Sequence, residues 1–404
     1  MEEPVVEKVL ATGVGAAKAA RGSSIIYRKW VRGTGGLISG DLVEVIDRNG
    51  SEIACGLWEE NTPVAVRIIH WGKCLERSPE EALERALEAA YKARVRSKWA
   101  VEFDSYRLIN SDGDRLSGLI ADVYKDVAVV QSSSPAIDRH ISYISQAIRK
   151  FTGVTHVYEK SVQRSRLDIG LEPRRRWLMG RRKEVVIEEG QARFIVDVER
   201  GQKTGFFLDQ RVNRLELARV AGPGDSVLDV FSYTGGFGIH ALLSGASKAV
   251  FIEEDAHAVK LLRKNLRLNG IQENKALILN TSIWKAIQAG EPRESFDIVT
   301  VDPPAFIQKP GQEAKKRGFR AYKSSYLFAL ERAAGNSIVY LSSCSYFLSR
   351  EEFITLVTEV ASALEKEYRI LGDVRGASPD HVYRGEEYLS YLKGAFIHID
   401  PSVT

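Results

Sequence analysis

LDVFSYTGGFG, residues 228–238, is the stretch on which the reading of this 404-residue chain turns. It ends an apolar strand-like run (SVLDVF, 226–231), reverses through two adjacent glycines and opens the helix-like GIHALLSG. Neither Gly235 nor Gly236 carries a Cβ, so the backbone can approach a ligand closely there. A Walker loop is excluded, because no Gly-Lys-Ser/Thr follows and no lysine stands near to hold a phosphate. The dinucleotide form G-x-G-x-x-G is excluded as well, because the turn reads Y-T-G-G-F-G and begins with bulky residues. Asp229 stands at the strand end, just before the turn.

About twenty residues further on, where dinucleotide folds place a ribose-binding acid, the next strand-like run ends in FIEED (251–255). The helix pattern AVKLLRKN behind it puts Glu253 at the strand end, with Glu254 as the alternative. A glycine turn plus a ribose carboxylate, without a phosphate clamp, fits an adenosine ligand lacking phosphates, such as S-adenosylmethionine. Asp229, Tyr233, Thr234, Gly235 and Glu253 are the candidate cofactor contacts. A purely structural turn accounts for the glycines but not for the paired acid.

From about residue 200 onward, strands alternate with helices: AVFIEED, HAVKLLRKNLRLNG, LILN, FDIVTVDPP and SIVYLSSCS continue the series. This alternation predicts a parallel, doubly wound, Rossmann-like sheet, with ligands at the carboxyl ends of its strands. VDPPAF (301–306) ends the fourth strand of the series. Its two prolines fix φ and remove two backbone donors, which leaves a rigid loop and lets Asp302 face a substrate. YLSSCSYF (340–347) ends the next strand, so Cys344 lies on the same rim. A buried structural thiol in the strand is the plainer alternative, and a position on the ligand-binding rim counts against it. The flanking Ser343 and Ser345 read as small polar residues that leave room around the sulfur.

Upstream, residues 1–75 read as a small all-β unit. GDLVEVIDRNGSEIACGLW holds two β-rich runs around Asn49-Gly50, a hairpin signal, and PVAVRIIHW follows at 63–71. Residues 76–200 read as an α+β insert. It opens with the helix SPEEALERALEAAYKARVRS (78–97), capped by Ser78 with Pro79 at its first position. A second helix spans 138–150, and a hairpin near 185–198 closes the insert. Residues 201–404 form the doubly wound part.

The hydrophobic share of 44% and the charged share of 27% are those of a globular protein. No apolar run approaches the roughly 18 residues that span a bilayer, and MEEPVVEKVL lacks the basic-then-apolar layout of a signal peptide. A cytoplasmic protein without membrane contact is expected. The three cysteines (Cys55, Cys74, Cys344) form no C-x-x-C pair, which argues against a disulfide scaffold and against a cysteine-built zinc site. Cys55 reads as packing and Cys74 as structural or incidental. The seven histidines show no H-x-x-x-H pair, so no metal is expected. The net charge of +4 is modest but uneven. KSVQRSRLDIGLEPRRRWLMGRRK (160–183) and RGSSIIYRKWVRG (21–33) are dense in Lys and Arg and interleaved with aromatics. Each alone can be a solvated face; together, beside a ligand-binding sheet, they suit a phosphate backbone and stacked bases.

Several segments resemble known families. Gly22 to Tyr27, Gly40-Asp41-Leu42-Val43, Ala54-Cys55-Gly56-Leu57-Trp58 and Ala65-Val66-Arg67-Ile68 are similar, in order and spacing, to a PUA domain, a compact RNA-binding β-barrel. VDPPAF resembles the Asp/Asn-Pro-Pro motif of class I methyltransferases, which sits between methyl donor and target base. RLINSDGDRLSGLIADVYKDVAVVQ, GFFLDQRVNR (205–214), LDVFSYTGGFG, LSSCS and DHVYRGEEYLSYLKG (380–394) complete the pattern. The whole chain resembles the PUA-containing large-subunit rRNA cytosine-5 methyltransferases. The resemblance implies Cys344 as nucleophile, with Asp302 holding the N3/N4 edge of cytosine. It implies that Phe207, Asp209 and Arg211 help to build the S-adenosylmethionine pocket, with Asp302 and Pro303 also at the cofactor. Structured RNA, in large-subunit rRNA, is the implied partner, and a homodimer is compatible with it. Two departures stand out: LILNTS offers no acid near the adenine, leaving Asn280 or Ser282, and valine follows His381 where the pattern has proline. The alternatives are methylation of an exocyclic amine of adenine or guanine, and an RNA-binding factor without catalysis.

Overall fold

A computed structural model describes residues 6–33, 35–385 and 387–401. The start of the N-terminal stretch (1–5), and Glu386 within the closing motif, lie outside the described residues. The chain forms two compact units. The first comprises Met1–Ile187, Val196–Phe206 and Asp380–Glu386, and the second Glu188–Ile195, Phe207–Pro379 and Glu387–Thr404. Among the described residues no helix is long and apolar enough to cross a membrane.

The first unit opens with β1 (Glu7–Ala11), α1 (Gly13–Ala20), β2 (Ile25–Tyr27), β3 (Val31–Arg32), β4 (Leu42–Ile46), β5 (Glu52–Trp58) and β6 (Val64–Trp71), in one sheet of order β2-β6-β5-β4-β1-β3. Val9, Ile26, Val43, Val45, Trp58, Val66 and Ile68 fill its core. The β4–β5 hairpin turns at Asn49-Gly50 as expected. Asp47 Oδ1 accepts from the amides of Asn49 and Ser51 at 2.8 and 2.9 Å. One expectation fails here, because Cys55 and Cys74 are joined as a disulfide. Spacing rules miss the pairing because the strand register makes it. Cys55 lies opposite His70 on β6, and Gly72, in the left-handed region at φ 88°, turns the chain back toward β5.

Next come α2 (Pro79–Arg96), α3 (Trp99–Glu102), β7 (Ser105–Asn110), β8 (Leu119–Tyr124), β9 (Val127–Ser132), α4 (Pro135–Thr152), β10 (His156–Ser161), α5 (Arg164–Leu167) and β11 (Arg174–Met179). The strands form a sheet of order β11-β10-β9-β8-β7. Ser78 and Ser134 cap α2 and α4 by accepting from Glu81 and Ile137 amides. Ile137, Ile141, Ile144 and Ile148 form the buried stripe of α4, an i, i+4, i+7 pattern. The basic run 160–183 is largely engaged inside this unit. Arg166 is buried and bidentate on Asp138 at 2.8–2.9 Å, while Arg176 reaches Glu159 and Arg182 reaches Asp126. Lys160 is buried as well, bonded to the Gly201 carbonyl. Much of the cationic surface read from that run is therefore spent on internal ion pairs.

The hairpin β12 (Glu184–Glu189) and β13 (Ala192–Asp197) leads to α6 (Arg211–Val220), β14 (Ser226–Val230), α7 (Gly236–Leu243), β15 (Lys248–Ile252), α8 (Ala256–Leu268), β16 (Ala276–Leu279), α9 (Ile283–Ala289), β17 (Phe296–Val301), α10 (Gln312–Glu331), β18 (Ala333–Ser343), α11 (Arg350–Ala363), β19 (Tyr368–Ile370) and β20 (Lys393–Ile399). The sheet runs β16-β15-β14-β17-β18-β20-β19. Its first five strands are parallel, as expected. β20 departs from that expectation by running antiparallel to both neighbours. No α-helix lies between β19 and β20 among the described residues, and without a crossover the returning strand reverses direction.

The second unit is pinned by a buried charge cluster. Glu189 accepts from Arg211 Nε at 3.0 Å, from Arg214 Nε and Nη2 at 2.6 and 2.8 Å, and lies 3.1 Å from His240 Nε2. Burial would raise this carboxyl. The charge and hydrogen bonds of Arg214, the bond to His240 and the charge of Arg211 outweigh burial and hold it well below the usual range. Glu189→Gln leaves two buried guanidiniums without their counter-charge and is expected to cost about 3 kcal/mol. Urea unfolding should show it as a lower midpoint with an unchanged slope.

Candidate active site

β14, β15, β17 and β18 end on one rim of the parallel sheet. At the end of β14 the Asp229 side chain turns inward: Oδ2 accepts from the Gly238 amide (2.9 Å) and Oδ1 from Thr300 Oγ1 (2.8 Å). It thereby ties the strand to the first turn of α7. Burial pushes Asp229 up to about 7; Gly238 and Thr300 oppose this, and the charges of Asp302 and Glu253 add to it. The glycines do something other than admit a ligand. Gly235 sits at φ 88°, and a Cβ there would come within 2.3 Å of Leu262 Cδ1. Phe231 and Tyr233 are held in the left-handed region too, at φ 61° and 48°. Such backbone persists only where its surroundings fix it.

Around this turn the structure gathers four of the predicted cofactor residues: Phe207, Tyr233, Thr234 and Glu253. Glu253 Oε2 accepts from the Tyr233 amide and Oε1 from the Asp255 amide, both at 2.8 Å. Each oxygen keeps a second lone pair for a ribose hydroxyl. Glu253 is buried, which raises its pKa, whereas Glu254 is exposed. Phe207 meets Tyr233 edge-on with ring centres 5.0 Å apart. The hydroxyls of Ser232 and Thr234 are buried without a hydrogen-bond partner among the described residues, as a site shaped for a polar adenosine ligand requires. S-Adenosylmethionine therefore fits the donor and acceptor set of this turn.

Asp209 and Arg211 are also tied within the protein. Asp209 Oδ2 accepts from Tyr391 Oη (2.7 Å). Arg211 is fully buried on Glu189. Asn280 donates to the carbonyls of Glu253 and Glu254 (2.9 and 3.2 Å). Ser282 caps α9 by accepting from the Lys285 amide. Both fix backbone beside the turn.

The reactive end lies one strand over. Val301 pairs with Leu341, so Asp302 emerges beside Ser342, and the thiol of Cys344 lies 3.6 Å from the Pro303 carbonyl. Asp302 Oδ1 accepts from Gln210 Nε2 (2.7 Å) and Ser342 Oγ (2.5 Å). Gln210 is oriented in turn, because its Oε1 takes Tyr340 Oη (2.9 Å) and Asn213 Nδ2 (2.7 Å). Only its amine is left to face the carboxylate. Tyr322 Oη lies between Ser343 Oγ (2.9 Å) and Ser345 Oγ (2.7 Å), and Ser345 Oγ also accepts from the Ile307 amide. The two serines are thus fixed struts on either side of the cysteine, more than small spacers. Burial foremost, then the Cys344 charge, pushes Tyr322 up to about 12, so it stays a neutral phenol.

Lys393 completes the rim. It pairs with Ser343 across β18 and β20, is buried, and donates from Nζ to the Ser345 carbonyl at 2.7 Å. Burial lowers it to about 8, against upward pulls from the Cys344 and Glu352 charges. Sequence reasoning missed Gln210, Tyr322 and Lys393. Gln210 and Lys393 stand inside quoted motifs, but only the folded register shows what they face.

A profile described as S-adenosylmethionine-dependent methyltransferase matches residues 155–321, and one described as PUA-like domain matches residues 12–71. The chain is 32% identical over 361 residues to the ribosomal RNA large subunit methyltransferase I of Alteromonas mediterranea, covering 88% of this chain and 89% of that one. It is 30% identical to the enzyme of the same name from Aeromonas salmonicida, over 92% and 94% of the two chains. Among solved structures, a protein complexed with S-adenosylhomocysteine superposes with a TM-score of 0.79 at 19% identity, covering 97% of this chain and all of that one. That likeness shows the shared fold.

Proposed function

Because the chain belongs to the PUA-bearing, S-adenosylmethionine-dependent ribosomal RNA large subunit methyltransferase family, we propose that it methylates C5 of a cytosine in large-subunit rRNA through a covalent adduct on Cys344. One observation carries the reading: the Cys344 thiol lies 3.6 Å from the Pro303 carbonyl, next in the chain to Asp302, while the buried Lys393 ammonium, bonded to the Ser345 carbonyl, is within reach of the Cys344 charge. S-Adenosylmethionine, when bound, supplies an electrophilic methyl group. Phe207, Tyr233, Thr234 and Glu253 hold it, over a turn braced by Asp229 and Gly235.

Cytosine C5 is too weak a nucleophile to be alkylated directly. The Cys344 thiolate adds to C6, forming an S–C bond, and the ring electrons shift to C5, which becomes enamine-like. Asp302, aimed by Gln210 and Ser342, holds the N3/N4 edge while that charge develops. After alkylation the C5 proton passes to solvent base, the C5–H electrons restore the double bond, and the thiolate is expelled from C6. The target base must leave its stack to reach the rim.

The first sheet supplies an RNA-facing surface. Tyr27 and Trp30 meet edge-on at 5.3 Å, and the Lys18 and Lys29 ammonium groups sit 4.8 and 5.1 Å from the Trp30 ring. Arg21, Lys29 and Arg32 are exposed. Lys29→Ala is expected to weaken RNA binding alike across sequences and to lower the slope of log K against log salt by about one, as a filter-binding titration would show. Mapping modified cytosines in rRNA with and without the gene tests the reaction. No changed cytosine would sink the specific reading.

A further inference from the structure

In the first unit, Cys55, His70, Cys74 and Glu76 converge, with their donor atoms all within 4.8 Å of one another. The fold builds this group. The β5–β6 register sets His70 opposite Cys55, and the loop after Gly72 delivers Cys74 and Glu76. His70 Nδ1 lies 3.3 Å from the Trp71 carbonyl oxygen, which can only accept. In the metal-free chain Nε2 carries a proton toward Glu76; when a metal takes the place of that proton, the Trp71 carbonyl accepts from Nδ1–H and holds the ring with Nε2 directed into the group. Nε2 lies 2.7 Å from Glu76 Oε2, and Arg85 Nη1 donates to Oε1 at 2.6 Å. Glu44 Oε1 accepts from the Cys74 amide at 3.0 Å, which fixes the loop.

A disulfide needs neither an imidazole nor a carboxylate beside it. Yet Cys55 is fully buried and Glu76 is only 7% exposed, and burying a carboxylate is costly unless its lone pairs are used. We propose that, once the Cys55–Cys74 bond is reduced, these four side chains bind one divalent transition-metal ion of the zinc class in tetrahedral S2NO coordination. The ion then locks the loop after β6 to the β5–β6 hairpin, as the disulfide does in the oxidised chain. Metal–sulfur bonds of about 2.3 Å and metal–nitrogen or metal–oxygen bonds of about 2.0–2.2 Å set tetrahedral ligand atoms about 3.3–3.8 Å apart. With all four donor atoms within 4.8 Å of one another, side-chain adjustments of about an ångström bring them to that spacing. Reduction of the S–S bond by a thiol or phosphine takes up two electrons and two protons and gives two thiols. Metal binding then releases both protons, because the thiolate is the ligand. Two-electron oxidation of the bound pair by a disulfide-class oxidant re-forms the S–S bond and frees the ion.

The test uses the full-length protein, oxidised or reduced with a phosphine, and titrated separately with zinc(II) and cobalt(II). The reduced protein should retain about one equivalent of zinc by elemental analysis. With cobalt(II) it should show a thiolate-to-metal charge-transfer band together with the intense visible bands of a tetrahedral ion. The same protein with its disulfide intact should show neither, a comparison that no folding defect can confound. Cys344→Ala should leave the cobalt spectrum unchanged. His70→Ala and Glu76→Ala should each weaken binding about tenfold or more. Absence of the charge-transfer band in the reduced protein, its survival in the Cys55→Ser/Cys74→Ser double variant, or undiminished affinity in both His70→Ala and Glu76→Ala overturns the proposal.

Discussion

Replacing Cys344 by alanine is expected to lower the rate of methyl transfer by about four orders of magnitude or more, as loss of a catalytic nucleophile does, while RNA and S-adenosylmethionine binding stay close to wild type. The asymmetry follows from the chemistry. In the proposed mechanism the thiol makes and breaks one bond to C6 in every turnover and contributes little to ground-state affinity. RNA carrying 5-fluorocytidine at the target position gives a second readout. Fluorine at C5 cannot leave as a proton does, so the final elimination is blocked and the S–C6 bond persists. The wild-type enzyme should form a denaturation-resistant RNA–protein complex in the presence of S-adenosylmethionine, and Cys344→Ala should form none. Methylation of an exocyclic amine needs no thiol, so an active Cys344→Ala enzyme would point there. The structure speaks against that route: Ala305 directly follows the two prolines, and the Phe306 ring is already packed against Phe231, Trp284 and Tyr322. An inert RNA-binding scaffold would show no heat on titration with S-adenosylmethionine.

What the sequence revealed, and what it hid, follows the range over which each signal acts. LDVFSYTGGFG and FIEED were legible because strand, turn and helix are local patterns. Glu253 could be chosen over Glu254 by helix phase alone, and the fold turns Glu253 onto the Tyr233 amide. The glycines were legible as a turn but not in their role, because Leu262, the side chain that Gly235 must avoid, comes from the next helix. The basic run 160–183 looked like RNA-binding surface only because its partners Asp126, Asp138 and Glu159 are distant in sequence or hidden by strand pairing. Likewise Cys55 and Cys74 are 19 residues apart, and only the hairpin register joins them. The antiparallel β20 was least visible of all. A strand inserted between β18 and β19 leaves no periodicity of its own, yet it sets Lys393 opposite Ser343 and onto the Ser345 carbonyl, on either side of Cys344 in the chain.

That insertion carries the second large effect. Lys393→Met keeps the length and apolar stem of the side chain but removes its charge beside Cys344. It is expected to lower kcat/KM by about 10²–10³ at neutral pH, the scale for removing one preorganised electrostatic partner. The pH profile separates this role from packing. If the proposed mechanism holds, the productive ionic form pairs thiolate with ammonium, so wild-type activity should rise as the thiol ionises and fall as Lys393 deprotonates, near its lowered value of about 8. Both limbs belong to the coupled pair. In Lys393→Met the alkaline limb should vanish and the acid limb should move up toward an ordinary thiol near 8.5. Stability should move the other way. The folded lysine titrates below its unfolded value of 10.5, so the unfolded chain binds more protons between about pH 8 and 10.5, and wild-type stability rises with pH across that window. Below it, at neutral pH, the buried charge is a cost, so the methionine variant should melt no lower than wild type. A variant that melts several degrees lower would make Lys393 a structural strut. One that keeps both wild-type turnover and the alkaline limb would remove it from the chemistry.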